Sequence, residues 1–157
     1  MSTQNFALQA WRKCSAWPGG KWLYSRLVCF QAPYFGSIRP RFQVLEPGRC
    51  VATLTKRRRV TNHLGTVHAI AMCNLAELAG GTMTEVTVPH SHRWIPKGMT
   101  VEYLKKATTS LTATAVLDPI PAFDEAAELP VTVNVEDRNG ELVFRAVITM
   151  WVSPKKG

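Results

Sequence analysis

Acidic residues are scarce in this chain of 157 residues, with 11 Asp and Glu against 19 Lys and Arg and a formal net charge of +8. Phosphate-bearing or acidic partners are attracted by such a balance, which does not by itself say which partner. With 46% hydrophobic and only 19% charged residues, the composition excludes a disordered basic tail and points to a folded chain. Closely spaced cysteines are missing too. Cys14, Cys29, Cys50 and Cys73 form no Cys-x-x-Cys pair and no cluster, which reads as free thiols in a reducing compartment. There is no long apolar run: the charge-free stretches carry Thr, Asn and His, and Met1 to Lys13 has no apolar core of a secretory signal. A soluble, cytoplasmic protein without membrane insertion is expected. The glycine-rich signatures of phosphate-cradling loops are absent, and Gly80-Gly81 stands too late in its helix to serve as one. His90-Ser91-His92 has no Cys or carboxylate at ligand spacing, so no metal site is expected.

What is present is organised as one domain with an N-terminal addition. Phe6 to Phe30 shows apolar residues at helical spacing on both sides of Pro18-Gly19-Gly20, which predicts two short helices broken at that turn. We assign residues 1–33 to this extension and 34–157 to the main domain. The extension's aromatic residues could form a lid over a pocket or pack on the outside of a sheet, and packing is the expectation. Two strands should meet at Pro47-Gly48. His68 to Met83 is apolar on nearly every side, as befits a helix enclosed by other structure. Extended segments follow over His92–Ile95 and Met99–Ala107, and alternation marks strands at Leu111–Leu117, Val131–Val135 and Leu142–Met150. The last two join through the turn Asp137-Arg138-Asn139-Gly140. One buried helix followed by hairpin-linked strands implies the α+β class, a mostly antiparallel sheet wrapped around one long central helix.

Asn62, His68 and Glu77 are polar residues in or just before the most apolar helix. A buried carboxylate must be hydrogen-bonded or poised for chemistry, and His68 can cap or pack as readily as react. Leu75, Leu78 and Ala79 are expected to shelter Glu77 and make it a better base. Nine residues separate His68 from Glu77; at about 100° and 1.5 Å per residue they face opposite ways, about 13.5 Å apart along the axis. If both serve one site, the simplest arrangement is two antiparallel copies of the helix about a two-fold axis. Ala76, Ala79, Gly80 and Gly81 would permit close approach there.

The segment Asn62-His63-Leu64-Gly65-Thr66-Val67-His68, followed by Glu77 within Leu75-Ala76-Glu77-Leu78-Ala79, resembles the signature of hotdog-fold acyl-CoA thioesterases of the phenylacetate-pathway (PaaI-like) type. It is closer to a branch known as a domain of unknown function or as YiiD C-terminal-like. Lys97 to Ala107 and the hairpin from Asp137 to Phe144 fit the same pattern, and the resemblance covers about residues 34 to 153. It implies a hotdog fold that hydrolyses acyl-CoA to free acid and CoA. Asn62 would orient water or thioester, backbone N–H groups after His68 (Ala69 and Ile70) would polarise the carbonyl, and Glu77 of a partner chain would be base or nucleophile. It further implies a homodimer or a dimer of dimers, with coenzyme A as part of the substrate and no separate cofactor. Two glycines common in relatives are here Ala69-Ile70, and the acid is Glu where Asp is commoner.

The basic run Lys56-Arg57-Arg58-Arg59 lies just ahead of Asn62, and Lys105-Lys106 closes a later strand. If the first strand continues through the run, Arg57 and Arg59 share a face that Arg58 does not. Arg57, Arg58, Arg59, Lys105 and Lys106 are candidate ligands for the phosphates of coenzyme A, against the plainer reading of a solvated charge run. A non-catalytic acyl-CoA-binding or sensing protein is the main alternative to an enzyme. An acyl dehydratase would need a His and acid in another motif, and a nucleic-acid-binding role has only the charge in its favour, without any recognisable motif.

Overall fold

The computed structural model describes residues 5–156. Helix α1 spans Phe6–Ser15 and α2 Gly20–Gln31, interrupted where expected. The Asn5 side chain caps α1, its Oδ1 accepting from the N–H groups of Ala7 (2.9 Å) and Leu8 (3.2 Å). Gly19 adopts φ 80°, and a Cβ at Gly20 would lie 1.7 Å from the Cys14 carbonyl oxygen, so the reversal needs both glycines. A 3-10 turn at Pro33–Ser37 leads into the sheet.

Six strands follow: β1 Arg41–Glu46, β2 Arg49–Leu54, β3 His92–Tyr103, β4 Leu111–Val116, β5 Ala127–Glu136 and β6 Leu142–Pro154. They form one antiparallel sheet in the order β1-β2-β4-β5-β6-β3. Period-two alternation turns Ala113, Ala115, Val131, Val133, Val135, Ala146 and Ile148 inward, all essentially without exposure. The long helix α3, Ala69–Thr87, lies across that inner face and touches every strand. Its approach is close because Ala76, Ala79 and Gly80 face the sheet; a Cβ on Gly80 would fall 2.8 Å from Ile148 Cδ1. Those small residues therefore serve helix-to-sheet contact within one chain, not the helix-to-helix contact anticipated from sequence.

Two further expectations need correction. The N-terminal helices do not lie on the outer surface of the sheet. They contact β1 and α3, and Trp11 and Tyr24 join Phe42 in an edge-on cluster with ring centroids 5.2–6.4 Å apart, continuous with the main core. The two extended segments around Pro96 are a single strand, β3, whose register shifts between Pro96 and Gly98. Proline is tolerated because β3 is an edge strand and the bulge absorbs the missing donor. Among the described residues no helix is long and apolar enough to cross a membrane.

Candidate functional site

The start of α3 is held by the loop before it. Asn62 Oδ1 accepts from the N–H groups of Leu64 (3.0 Å) and Thr66 (3.2 Å), while its Nδ2 donates to Thr66 Oγ1 (2.9 Å). Both ends of the Asn62 amide thus shape the 62–66 turn. The next residues are fixed by Val67 N–H donating to the Ala107 carbonyl and His68 N–H to the Val60 carbonyl, both at 2.8 Å. His68 is the N-cap: its Nδ1 accepts from the Ile70 N–H at 3.1 Å. In the neutral ring this leaves the proton on Nε2, where it is a free donor. Of the two backbone donors expected to polarise a carbonyl, Ile70 is taken by this cap, and only the Ala69 N–H has no partner among the described residues.

Glu77 is exposed, which corrects the expectation of a sheltered carboxylate. Helix phase explains the difference. Leu75 and Ala79, each about 200° from Glu77, face the sheet, and Leu78 is a quarter-turn away. The stripe containing Glu77 runs Cys73, Glu77, Gly81, Glu85 at four-residue spacing. Beside it lies a cavity of about 520 Å³. Leu78, Gly81 and Thr82 of α3 form its floor, Tyr24, Val28 and Phe35 one wall, and Trp94, Pro96 and Met150 the other. Sequence reasoning missed these wall residues because four separate elements supply them. The only sequence signal was the excess of aromatics near the N-terminus.

His68 and Glu77 open on opposite sides of one helix, so a single chain does not bring them together. Among the described residues no strand pairs with the outer edge of β3, a strand of twelve residues that carries Ile95 at 61% and Tyr103 at 52% exposure. Such a long, partly apolar edge is a template for pairing with another strand.

The basic groups divide. Lys105 is ion-paired with Glu141, so it is not the free phosphate ligand expected of it, while Lys106 is exposed. β2 ends at Leu54 and Arg58–Val60 form a 3-10 turn, so strand alternation does not govern the run. Arg57 Nη2 donates to the Ser37 carbonyl at 2.9 Å, and Arg26, unforeseen from sequence, donates to the Pro40 carbonyl at 3.0 Å. Arg39 stands between these carbonyls at φ 47°. Burial, then the neighbouring Arg39, Arg59 and Arg26, hold the Arg57 guanidinium below its ordinary pKa. None of these arginines, nor Arg58, forms a salt bridge among the described residues.

An antiparallel sheet wrapped around a long central helix is the hotdog fold. The family model of a domain of unknown function, DUF4442, matches residues 20–152, and the chain belongs to that family. A structural-genomics crystal structure designated APC5556 is 45% identical, with a TM-score of 0.83 over 95% of this chain and 98% of that one. A Pseudomonas aeruginosa protein of unknown function, described as a probable thioesterase, is similar at 24% identity and TM-score 0.77, covering 83% and 93% of the two chains. A Haemophilus influenzae thioesterase is similar at 15% identity and TM-score 0.67, covering 77% and 82%. At those identities the last two share the fold. No curated protein matches the chain.

Proposed function

We propose that this protein hydrolyses acyl-CoA thioesters as a homodimer, or a dimer of dimers, in which each site combines the start of α3 from one chain with Glu77 of the other. The observation that carries this reading is Glu77 itself, an exposed carboxylate at the border of an apolar cavity in a hotdog protein. The bare edge of β3 supports antiparallel pairing with a second copy. The Ala69 N–H, at the positive end of the helix dipole, and the His68 Nε2–H are the donors for the thioester oxygen. Glu77 takes a proton from water as the water oxygen bonds to the carbonyl carbon. The tetrahedral intermediate then expels the CoA sulfur, which leaves as the thiol with the proton returned by Glu77. Direct attack by the Glu77 carboxylate on the carbonyl is the other route open to the same residue. The phosphates of coenzyme A rest on Arg57, Arg58 and Arg59, with Arg39 and Arg26 adding to the same positive field and the exposed Lys106 as a further cation.

Replacing Glu77 tests the reading. Glu77→Gln should lower kcat on every acyl-CoA cleaved by the wild type by a hundredfold or more, in the range of lost general-base catalysis, with folding retained because the side chain is exposed. Turnover near wild type would sink it. One observation favours a second reading, acyl-CoA binding without efficient hydrolysis: the Ile70 N–H is occupied by the cap, which removes one of the two backbone donors at the α3 start. Acyl-CoA binding with no turnover across short, medium, long and aromatic acyl groups would select it.

A further inference from the structure

The cavity beside Glu77 has a shape that the sequence did not foreshadow. It follows α3 from Glu77 to Glu85, eight residues or about 12 Å at 1.5 Å per residue. Its volume of about 520 Å³ falls within the range of about 300–1,000 Å³ usual for small-molecule sites. The near end is open at Glu77, whose carboxylate has no hydrogen bond or ion pair among the described residues. The far end is closed: Trp94 Nε1 donates to Glu85 Oε2 at 2.8 Å, and Asn5 Nδ2 donates to the Glu85 carbonyl at 2.5 Å. Between the ends the walls are mainly apolar, with Val28 and Phe35 opposite Trp94. Gly81 leaves the floor low, since a Cβ there would make only an ordinary 3.4 Å contact with Trp94.

We propose that this trough holds the acyl chain of the substrate, that its occupant is an alkyl chain of medium length, and that Val28 of α2 together with Gly81 and Trp94 limits that length. The assignment rests on Glu77 marking the thioester end, as in the function proposed above. The occupant follows from the chemistry of the lining. A nucleotide or its phosphates would lie on apolar carbon with Glu77 and Glu85 at the two ends and no cation in the walls, an arrangement that repels anions. An alkyl chain gains by leaving water and places its reactive carbonyl at the open end. The N-terminal helices are consequently a wall of the binding site as well as part of the core.

The test separates chain length from catalysis. With butyryl-, octanoyl- and decanoyl-CoA as substrates, Val28→Phe and Gly81→Val should each lower kcat/KM for the decanoyl ester at least tenfold more than for the butyryl ester. Val28→Ala should preserve or extend the preference for longer chains. Equal losses at all three lengths, or no loss with the decanoyl ester, would overturn the assignment. Binding of the uncharged probes 1-decanol and 1-butanol, read from tryptophan fluorescence with Trp94→Phe as the control, gives an answer independent of turnover. Wild-type protein should bind 1-decanol at least tenfold more tightly than 1-butanol, and Val28→Phe should abolish that difference. If the protein hydrolyses no thioester but shows this binding, the catalytic reading fails and the trough stands. If 1-decanol and 1-butanol bind alike while Glu77-dependent hydrolysis persists, the trough falls and the catalytic reading stands.

Discussion

On the sheet-facing side of α3, Leu75, Ala76, Ala79 and Met83 have no exposed surface, whereas on the opposite stripe Cys73 is half-buried, Glu77 is exposed and Gly81 borders an open trough. The two sides belong to one helix, and adjacent residues serve opposite ends. Gly80 is small because Ile148 and Val133 leave no room for a side chain, and Gly81 is small beside space that is left empty. The packed side fixes where the helix lies, because interiors at crystal-like density resist even one added methylene. The open side is free to carry chemistry because stability does not depend on it. Mutations on the two sides should therefore separate into losses of stability and losses of activity.

The largest expected effect is on the packed side. Leu75→Ala removes a side chain with no exposure and should destabilise the protein by about 2–5 kcal/mol, measured by urea unfolding. Turnover per folded molecule should be little changed. The mirror image is Glu77→Gln, with lost activity and a midpoint close to wild type. If Leu75→Ala instead abolished turnover in molecules that remain folded, the division between the two sides would be false.

Much of this architecture was legible in the sequence, and the limits have physical causes. The break at Pro18-Gly19-Gly20, the Asp137–Gly140 hairpin and the alternating strands β4 to β6 are local signals, and the structure follows them. The long helix was evident from its apolar character, but that same character hid its phase. With a low contrast between faces, sequence neighbours Leu75, Leu78 and Ala79 looked like shelter for Glu77 although they point elsewhere. His68 was legible as either cap or reactant, and its cap is now visible in the Nδ1 contact to Ile70. Partners distant in sequence were not legible at all. Glu141 neutralises Lys105 from 36 residues away, Arg26 and Arg39 reach the loop beside Arg57 from outside the basic run, and the trough draws its walls from both ends of the chain.

Cysteines sharpen the comparison through pH. Cys50, fully enclosed on β2, has its thiol pushed up from 9.0 to about 12 by burial. Below pH 9 the thiol is protonated in both folded and unfolded chains and pH has no effect through it. Between about 9 and 12 the unfolded chain has lost that proton and the folded chain keeps it, so stability falls as pH rises, by about 1 kcal/mol per unit. Tyr24, raised by burial first and then by nearby Cys50, Cys14 and Glu85, adds a loss of the same sign at higher pH. Cys50→Val should flatten the decline measured by urea unfolding at pH 8, 9 and 10. An unchanged slope would mean that Cys50 is not enclosed as described. Cys73 on the open stripe should react with a thiol reagent in the folded protein under conditions where Cys50 does not.

The smallest effect, and the most direct contrast, comes from the two glycines. Alanine in place of either gains up to about 1 kcal/mol of helix propensity. At position 81 the added methyl meets Trp94 at an ordinary 3.4 Å, so Gly81→Ala should raise stability by a few tenths to about 1 kcal/mol. At position 80 the methyl must displace Ile148 Cδ1 from 2.8 Å and crowd Val133 Cγ2 at 3.3 Å, and overpacking of about 1–3 kcal/mol outweighs the same gain. Gly80→Ala should thus lower the unfolding midpoint where Gly81→Ala raises it. Equal shifts of the same sign would show that the helix does not present one crowded and one open side, because backbone propensity alone treats neighbouring glycines alike.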